Sequence, residues 1–446
     1  MTDTRAVEAG FRRELGLFDA AVVVAGAIIG VGIFANPSNV ARLLPNPALI
    51  VLAWTIGGVL ALVGGFIWAE LGSRFPYVGG QYVYLTRTYP PIVGFLYGVA
   101  LLFIINGGAL AAVSILFAAY VDRSFVTLGP LGIRLLAAAV LVGFTAVNTV
   151  GVRQGTTASN VLMTVKVAGI GVLLWLAFAR GGPPASDLRL SDLGVLDRSS
   201  FALLLTALVP IMFAYGGWQN CGTLAAEIRD PSRNLARANV IGVIVVVILY
   251  LSLNVAYLRV MTPAGMAASP ALAGDMAWIA AGPGGGVLVA ALIMMSSLGW
   301  MAVTILTGPR LYYAMAQDGV FLSHAGRLHP RYRTPVFALW FQTAVALALL
   351  TTNTYDQLLS YVVFADWLFF GFTAAAVFIA RRRGLGTPTV TVPGHPFTTG
   401  LFVLVAVGIV GNSFVAYPRQ SLVGTAILLA AAAAYAFLPG QQARPS

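Results

Sequence analysis

Long apolar stretches separated by short polar segments make up almost the whole chain of 446 residues. Each stretch is bounded by charged residues, proline or glycine, and each suits a helix across the bilayer core, which takes about 20 residues. The pattern predicts an all-α integral membrane protein with twelve transmembrane helices. The predicted spans lie near residues 17–41, 47–72, 91–120, 132–150, 156–179, 201–223, 238–259, 284–315, 336–352, 357–380, 398–416 and 421–438.

The composition agrees with lipid as the solvent for most of the chain. Apolar residues make up 59% of it and charged residues 9%, whereas soluble domains are about 45–50% apolar and about 25% charged. The uninterrupted apolar run from Val240 to Ala256 excludes the alternating pattern of a β-barrel. The loops are short, the longest outer one lying near residues 181–200, so we expect a single transmembrane domain over residues 1–446.

Basic residues are unevenly shared between the two sides of the predicted bundle. With the N-terminus inside, seventeen arginines fall in inner segments and eight in outer ones, and by the positive-inside rule both termini are cytoplasmic. The net charge of +11 therefore reflects topology, and no nucleic-acid partner is expected. We expect a multi-pass protein of a bacterial inner (plasma) membrane, surrounded by lipid.

Two spans are interrupted by glycine clusters at mid-membrane. The first contains GAIIGVGIFANP (Gly26–Pro37), and the sixth contains PIMFAYGGWQNCG (Pro210–Gly222). Glycine weakens helix propagation, and paired interruptions at corresponding places in the two halves of a chain indicate the binding site of a transporter. The alternative is close helix packing, since Gly26 and Gly30 also form a GxxxG pattern. Packing alone does not explain the matched placement.

A broken helix offers unpaired backbone groups at mid-membrane. N–H groups that begin its second half suit a carboxylate, and carbonyls that end its first half suit an ammonium group, so the pair fits a zwitterionic α-amino acid. In span 1 we expect N–H donors from Gly30, Val31 and Gly32, with carbonyl acceptors near Ala27 and Ile28. The predicted substrate site comprises Ala27, Ile28, Ile29, Gly30, Val31, Gly32, Phe213, Ala214 and Gly216.

Five stretches, in order along the chain, resemble one known family. They are GAIIGVGIF in span 1, AELGSRFPYVGGQYVYL (Ala69–Leu85), FAYGGW (Phe213–Trp218), EIRDPSRNLARA (Glu227–Ala238) and LTGPRLYYAMAQDG (Leu306–Gly319). Together they are similar to the amino acid–polyamine–organocation superfamily, and FAYGGW most resembles its L-type amino acid transporter branch. The resemblance implies a secondary active amino acid transporter that works by alternating access.

The resemblance also implies a leucine-transporter-like fold with discontinuous helices 1 and 6. Two inverted repeats of five helices would cover about residues 17–180 and 201–381, and two additional helices would cover about residues 398–438.

Site residues follow from the resemblance as well. In that family the substrate carboxylate lies on the glycines matching Gly30 and Gly32, and the aromatic residue matching Phe213 is a gate. The chain departs from the family pattern at Val31, where serine is frequent, and at Gln219, where asparagine is frequent. Side-chain contacts to the substrate are therefore expected to differ from those of the family.

Lys166 is the only lysine of the chain and lies in the middle of span 5. A charge at the bilayer centre costs at least about 2.5–3.5 kcal/mol. One interpretation is an ammonium group held by backbone carbonyls for packing alone. The other, which the L-type resemblance favours, is that Lys166 replaces a bound cation by bridging span 1 carbonyls to a hydroxyl such as that of Thr304. Transport would then be sodium-independent.

Asp366, in span 10, is the second charge at mid-membrane. A buried carboxyl group there is a candidate proton carrier, but it could equally be hydrogen-bonded within the bundle or face a wet vestibule.

Two further acids lie near arginines at the inner face. Glu70 and Arg74 are four residues apart, and Glu227 lies near Arg229 and Arg233. We expect gating or topology pairs at the surface, each worth about 0–1 kcal/mol.

The remaining residues carry no sign of catalysis. The three histidines fall in or beside loops without metal-ligand spacing, and no phosphate-binding loop is present, so we expect no enzyme, no cofactor and no metal. A neutral amino acid is the expected substrate, by exchange or proton-coupled uptake. A membrane amino acid sensor and a carrier of cationic amino acids or polyamines remain the alternatives.

A partner subunit is not expected. Animal members of the L-type branch are linked to a single-span glycoprotein through a cysteine between spans 3 and 4. The matching segment here, Val121–Gly132, contains no cysteine, and Cys221, the only cysteine, lies in span 6.

Overall fold

The computed structural model describes residues 16–77, 79–150, 155–179, 198–219, 228–332 and 334–437. The regular elements of these ranges are helical, as the hydrophobic pattern predicts. The α-helices are α1 Leu17–Ile28, α2 Gly32–Leu43, α3 Pro47–Arg74, α4 Gln81–Thr88, α5 Pro91–Ala100, α6 Gly107–Ser124, α7 Gly129–Val150, α8 Gly155–Ala179, α9 Arg198–Tyr215, α10 Pro231–Val260, α11 Pro263–Ala268, α12 Leu272–Ala281, α13 Pro283–Gln317, α14 Val336–Thr352, α15 Tyr355–Arg382, α16 Phe397–Ala416 and α17 Pro418–Tyr435.

Within the described ranges, seven helical segments are long and apolar enough to cross a membrane, and the bent pair α1–α2 makes an eighth if it is one span. The seven are Pro47–Arg74, Pro91–Ser124, Gly129–Val150, Arg233–Val260, Pro283–Gln317, Tyr355–Arg382 and Phe397–Ala416. Shorter apolar helices lie at Lys166–Ala179, Phe201–Tyr215, Leu272–Ala281 and Val336–Thr352. The chain is thus an all-helical, multi-pass membrane protein, and the number twelve stays a prediction.

Side-chain caps fix where two of the spans begin. The Asn46 side-chain oxygen accepts the N–H of Ala48 at 2.8 Å, next to a proline at the first helical position of α3. Thr354 and Gln357 form a capping box at the start of α15. Such caps pair backbone N–H groups that a helix start leaves unpaired. The opposite ends of these two helices meet in a buried polar cluster.

Several short elements interrupt the simple succession of spans. The segment between spans 2 and 3 contains α4, and the segment after α10 contains α11 and α12. The third predicted span is continuous from Pro91 to Ser124, but residues Leu101–Asn106 are wound as a π-helix. An inserted residue of this kind leaves the hydropathy unchanged, so the pattern could not predict it.

Helix α10 packs closely against both α1 and α3. A Cβ atom on Gly242 would lie 2.7 Å from a Val24 methyl group, and one on Gly58 would lie 2.8 Å from a Val247 methyl group. Small residues allow this approach between helices. The contact places the middle of α10 beside the break in span 1.

Candidate substrate site

Span 1 is broken at the predicted glycine cluster. Helix α1 ends at Ile28, α2 begins at Gly32, and the two are bent by 43°. The N–H of Ile29 still donates to Ala25 O at 2.7 Å, while the N–H of Gly30 turns back to Ile28 O, also at 2.7 Å. The break therefore consists of three residues between two helical halves.

The first N–H groups of α2 lie at the start of a helix. Val31 precedes the helix, its carbonyl accepts the N–H of Phe34 at 3.0 Å, and Gly32 is the first helical residue. N–H groups at this place have no partner within the helix, and the helix dipole is positive there. Of the three predicted donors, Gly30 is engaged within the break, which leaves Val31 and Gly32.

Two tyrosines of α10 donate to carbonyls on either side of the break. The Tyr250 hydroxyl donates to Ile28 O at 3.0 Å, and the Tyr257 hydroxyl, two turns further along, donates to Ile33 O at 3.4 Å. Both tyrosines are fully buried. The Ile28 carbonyl, which we expected to bind the substrate's amino group, is therefore already paired in this conformation. The sequence analysis did not identify either tyrosine.

Span 6 is interrupted in a similar way. Helix α9 ends at Tyr215, and the N–H of Gly216 donates to Phe213 O at 3.3 Å. Gly217 has φ of +133°, which favours glycine, and its N–H donates to the Gln219 side-chain oxygen at 2.8 Å. Gln219, one of the two departures from the family pattern, thus caps the break itself.

The two breaks contact each other through backbone. A Cβ atom on Gly32 would lie 2.7 Å from the Cα atom of Ala214, and one on Gly217 would lie 2.5 Å from Ala27 O. The structure therefore brings together the predicted site residues Gly32 and Ala214, which are more than 180 positions apart in sequence, and it places Gly217, which was not predicted, beside the predicted Ala27. That they bind a substrate stays a prediction.

Trp300, from α13, lies over the break in span 1 and was not among the predicted site residues. A Cβ atom on Gly30 would lie 3.8 Å from the Trp300 ring, which is half-buried. Phe213, the predicted gate, is also half-buried. Aromatic side chains from spans 6 and 8 are thus available to the side chain of a substrate.

Lys166 lies on α8 with 6% of its surface exposed. Its Nζ donates to Gly26 O in span 1 at 3.5 Å. Lys166 lines a small cavity together with the hydroxyl-bearing residue Ser296 of α13. Thr304, the predicted partner, lies two turns further along α13 and is half-buried. The geometry ties Lys166 to the first half of the broken span, and its role as a cation replacement stays a prediction.

Asp366 lies half-buried near the middle of α15. The Tyr97 hydroxyl is close enough to interact with its carboxylate electrostatically, and the Tyr97 ring packs on Phe369, one turn along α15, at 5.4 Å between centroids. No hydrogen bond or ion pair to Asp366 comes from the part of the chain that the structure describes. The carboxyl group is therefore available to a ligand or a proton.

The predicted pair of Glu70 and Arg74 is confirmed, but it belongs to a larger buried cluster, so the expectation that it lies at the surface was wrong. The Glu70 carboxylate is 0% exposed and accepts hydrogen bonds from Arg74 at 2.9 and 3.1 Å and from Arg381 at 2.6 and 2.9 Å. The N–H of Val392 donates at 2.8 Å. The cause is the position of Arg381, whose helix ends beside α3. Glu227, the other predicted acid, lies outside the described residues.

The segment after α15 continues this cluster over the end of α3. The N–H of Thr389 donates to the Ser73 hydroxyl at 3.2 Å, and the His395 ring packs on Phe378. Partial burial, and next the charge of Arg381, hold the pKa of His395 below its usual range.

At the opposite end of the bundle, α2 presents two asparagines to its neighbours. Asn36 donates to Pro210 O at 2.7 Å and accepts from the Tyr355 hydroxyl at 3.1 Å. Asn39 donates to the Asp356 carboxylate at 3.0 Å. The second half of span 1 is thus tied to the start of α15 and, through Pro210, to α9 before the span 6 break.

A second chain of contacts ties α2 to the short helices α11 and α12. The Ser38 hydroxyl donates to Ser269 O at 2.8 Å, and the Ser269 hydroxyl donates to Asp275 at 2.6 Å. Arg123, at the end of α6, donates to the same carboxylate at 2.6 Å. Together these contacts join α2, α6 and α12 at this end of the bundle.

An all-helical bundle with two touching helix breaks at mid-membrane is the architecture of a membrane carrier. The sequence profile of the amino acid permease family matches residues 15–438, and the chain belongs to that family. The resemblance to the amino acid–polyamine–organocation superfamily and its L-type branch is thereby confirmed.

The chain is similar to several characterised transporters. It is 30% identical over 387 residues to the b(0,+)-type amino acid transporter 1 of Mus musculus, and this alignment covers 84% of this chain and 78% of the relative. It is 30% identical over 386 residues to the large neutral amino acids transporter small subunit 2 of Oryctolagus cuniculus, covering 83% and 70%. It is 28% identical over 413 residues to the serine/threonine exchanger SteT of Bacillus subtilis, covering 91% and 92%.

Proposed function

We propose that this protein is a sodium-independent secondary transporter that moves a neutral amino acid by alternating access, through exchange or proton-coupled uptake. The observation that carries the proposal is the contact between the two helix breaks, where Gly32 meets Ala214 and Gly217 meets Ala27. Such paired breaks place positive and negative helix ends at one point in the membrane. Membership of the amino acid permease family supports a zwitterion as the ligand of that point.

Backbone N–H and carbonyl groups would provide most of the contacts to the zwitterion. The N–H groups of Val31 and Gly32 would bind the carboxylate, and carbonyls at the end of α1 would bind the amino group once a substrate displaces the present contacts. The side chain would then lie among Phe213, Trp300 and the space beside Gly216. These walls are aromatic or lack a side chain, which favours a neutral apolar group.

Sodium independence rests on Lys166. Its ammonium group lies 3.5 Å from Gly26 O, so a fixed positive charge contacts the carbonyl end of the broken helix. A mobile cation at this place would be repelled by that charge.

The experiment is uptake of a radiolabelled amino acid into liposomes that contain the purified chain. We expect counterflow against a preloaded amino acid, unchanged when choline replaces sodium and severely reduced in Lys166→Ala. A requirement for sodium would contradict the assignment of Lys166. Binding of amino acids without any uptake would instead favour the sensor interpretation.

A second candidate function rests on Asp366. Its carboxyl group, which has no hydrogen-bond partner among the described residues, would suit either a proton or the ammonium group of a cationic amino acid or polyamine. Asp366→Asn should abolish accumulation driven by a pH gradient and leave exchange of a neutral amino acid measurable. If the wild type prefers lysine to its neutral analogue norleucine and the variant does not, Asp366 binds the charged side chain of the substrate and does not carry a proton. Unchanged behaviour of the variant in both assays would leave Asp366 with a structural role.

We further propose the topology that the arginine distribution favours. Both termini would lie in the cytoplasm of a bacterium, with inverted repeats over about residues 17–180 and 201–381 and two additional helices over about residues 398–438. Cysteine labelling from either side of the membrane, after replacement of Cys221, tests the orientation.

A further inference from the structure

A small cavity lies between α2, α8 and α13, apart from the contact of the two helix breaks. Phe34, Leu173 and Val289 supply part of its apolar wall. The polar groups that line it belong to Lys166 and Ser296. The space is narrow enough that one water-sized guest fills it.

The two helices that face each other across this cavity are antiparallel. The end of α10 lies beside the end of α8, because Arg259 Nε donates to Ala177 O at 3.1 Å. Helix α13 begins on that same side, since only the short helices α11 and α12 separate it from α10. Helix α13 therefore runs back along α8 in the opposite direction.

This direction places the two polar residues at the same end of the cavity. Gly169 faces Leu292, with 3.2 Å between its ideal Cβ position and a Leu292 methyl group. One turn before Gly169 is Lys166, and one turn after Leu292 is Ser296. In an antiparallel pair these two positions lie opposite each other, and the apolar residues Leu173 and Val289 share the other end.

Both polar groups have hydrogen-bond donors to spare. The ammonium group of Lys166 carries three N–H donors, and the one hydrogen bond that it makes to the described residues, to Gly26 O, is long at 3.5 Å. Ser296 is 1% exposed, and its hydroxyl has no hydrogen-bond partner within the described ranges. Among the described residues, no carboxylate forms an ion pair with Lys166. The site thus combines convergent donors with an uncompensated positive charge.

We propose that this cavity binds a small monovalent anion, chloride, between Lys166 Nζ and the Ser296 hydroxyl. An unpaired buried charge is far more costly than a paired one, and a chloride ion would compensate the charge and accept from both donors. A water molecule would satisfy the donors but leave the charge in place. The apolar wall at the other end offers no hydrogen-bond donor to a polyatomic anion.

The test is thermal unfolding of the purified chain in detergent, with chloride titrated against gluconate at constant ionic strength. We expect the unfolding temperature to rise with chloride and saturate. Ser296→Ala should raise the half-saturating chloride concentration about tenfold, as expected for one lost hydrogen bond to a charged partner. Lys166→Met should abolish the response. Bromide in place of chloride should give an anomalous diffraction peak between the two side chains.

Ser297→Ala is the matched control, because the Ser297 hydroxyl donates to Ile293 O in its own helix at 2.8 Å. It should titrate with chloride as the wild type does. An unfolding temperature that is the same in chloride and gluconate would overturn the proposal, as would equal midpoints for Ser296→Ala and Ser297→Ala. The readout is independent of transport, so a chain that binds chloride but moves no amino acid would contradict the proposed function alone.

Discussion

The Ile28 carbonyl at the break in span 1 accepts from a buried hydroxyl in addition to the N–H of Gly30. Tyr250 donates to Ile28 O at the point where α1 ends. Tyr250→Phe keeps the ring and removes only the hydroxyl, which leaves a buried carbonyl short of a partner at a cost of about 1–3 kcal/mol. We expect substrate affinity to fall about tenfold or more, measured by substrate-dependent shifts of the unfolding temperature.

Tyr312→Phe is a matched control for this change. Tyr312 is also fully buried, and its hydroxyl accepts a hydrogen bond from Asn106, in the π-helical segment between α5 and α6. This variant should bind substrate as the wild type does. Equal losses in Tyr250→Phe and Tyr312→Phe would show that the hydroxyl of Tyr250 has no special part in the site.

Glycines at the two breaks differ in what they can be replaced by. A Cβ atom on Gly30 would have ordinary contacts, 3.8 Å from the nearest atom, whereas one on Gly217 would lie 2.5 Å from Ala27 O at a φ of +133°. Gly30→Ala should therefore fold, and Gly30→Leu and Gly216→Leu should insert but lose substrate binding. Gly217→Ala should lower the unfolding temperature strongly. Normal uptake by Gly30→Leu would contradict the site.

The sequence could predict the glycines but not the residues around them. A cluster such as Gly30 and Gly32 in an apolar span is visible without any partner. Tyr250 and Trp300, in contrast, resemble ordinary packing residues of an apolar helix, because their contacts come from residues more than 200 positions away.

At the scale of helices, the ends of α3 and α15 are held together by one carboxylate. Glu70 is fully buried and accepts from two arginines and a backbone N–H. Removal of one partner from a buried ion pair costs about 3–5 kcal/mol, because the remaining charge is uncompensated. Glu70→Gln should therefore lower the unfolding temperature markedly. Asp356→Asn, at an exposed contact with Asn39, should change the stability by about 0–1 kcal/mol.

A small effect of Glu70→Gln, equal to that of Asp356→Asn, would show that packing alone holds the ends of α3 and α15 together. The comparison uses the same chemical change, a carboxylate to an amide, at a buried site and at an exposed one.

Most elements were predictable because apolar length alone defines a span in lipid. The predicted limits of 156–179 and 284–315 agree closely with Gly155–Ala179 and Pro283–Gln317. The short helices α4, α11 and α12 have no such signal. The Glu70 cluster was missed because Arg381 follows 311 positions later, and spacing along a helix reveals only local pairs.

At the scale of the whole molecule, the contacts are distributed unevenly around the two breaks. Polar contacts from Asn36, Asn39 and Ser38 hold one side of the bundle, and the Glu70 cluster holds the other. A carrier that alternates must release one of these sets in each half of its cycle. The side chains that join helices of different halves are thus expected to set the balance between conformations.

The chain is expected to work as a single polypeptide, without a disulfide-linked partner. The connection between α6 and α7 is a short turn in which the Asp122 carboxylate accepts the N–H groups of Leu128 and Gly129 at 2.6 and 3.0 Å. The segment Val121–Gly132 contains no cysteine, so no covalent link can form there. Cys221, the only cysteine, lies in the predicted sixth span.

The protein should therefore have the same mobility on reducing and non-reducing gels and should transport amino acids alone in liposomes. A pure chain that is inactive until a second subunit is added would contradict this expectation, and Cys221→Ser should be as active as the wild type.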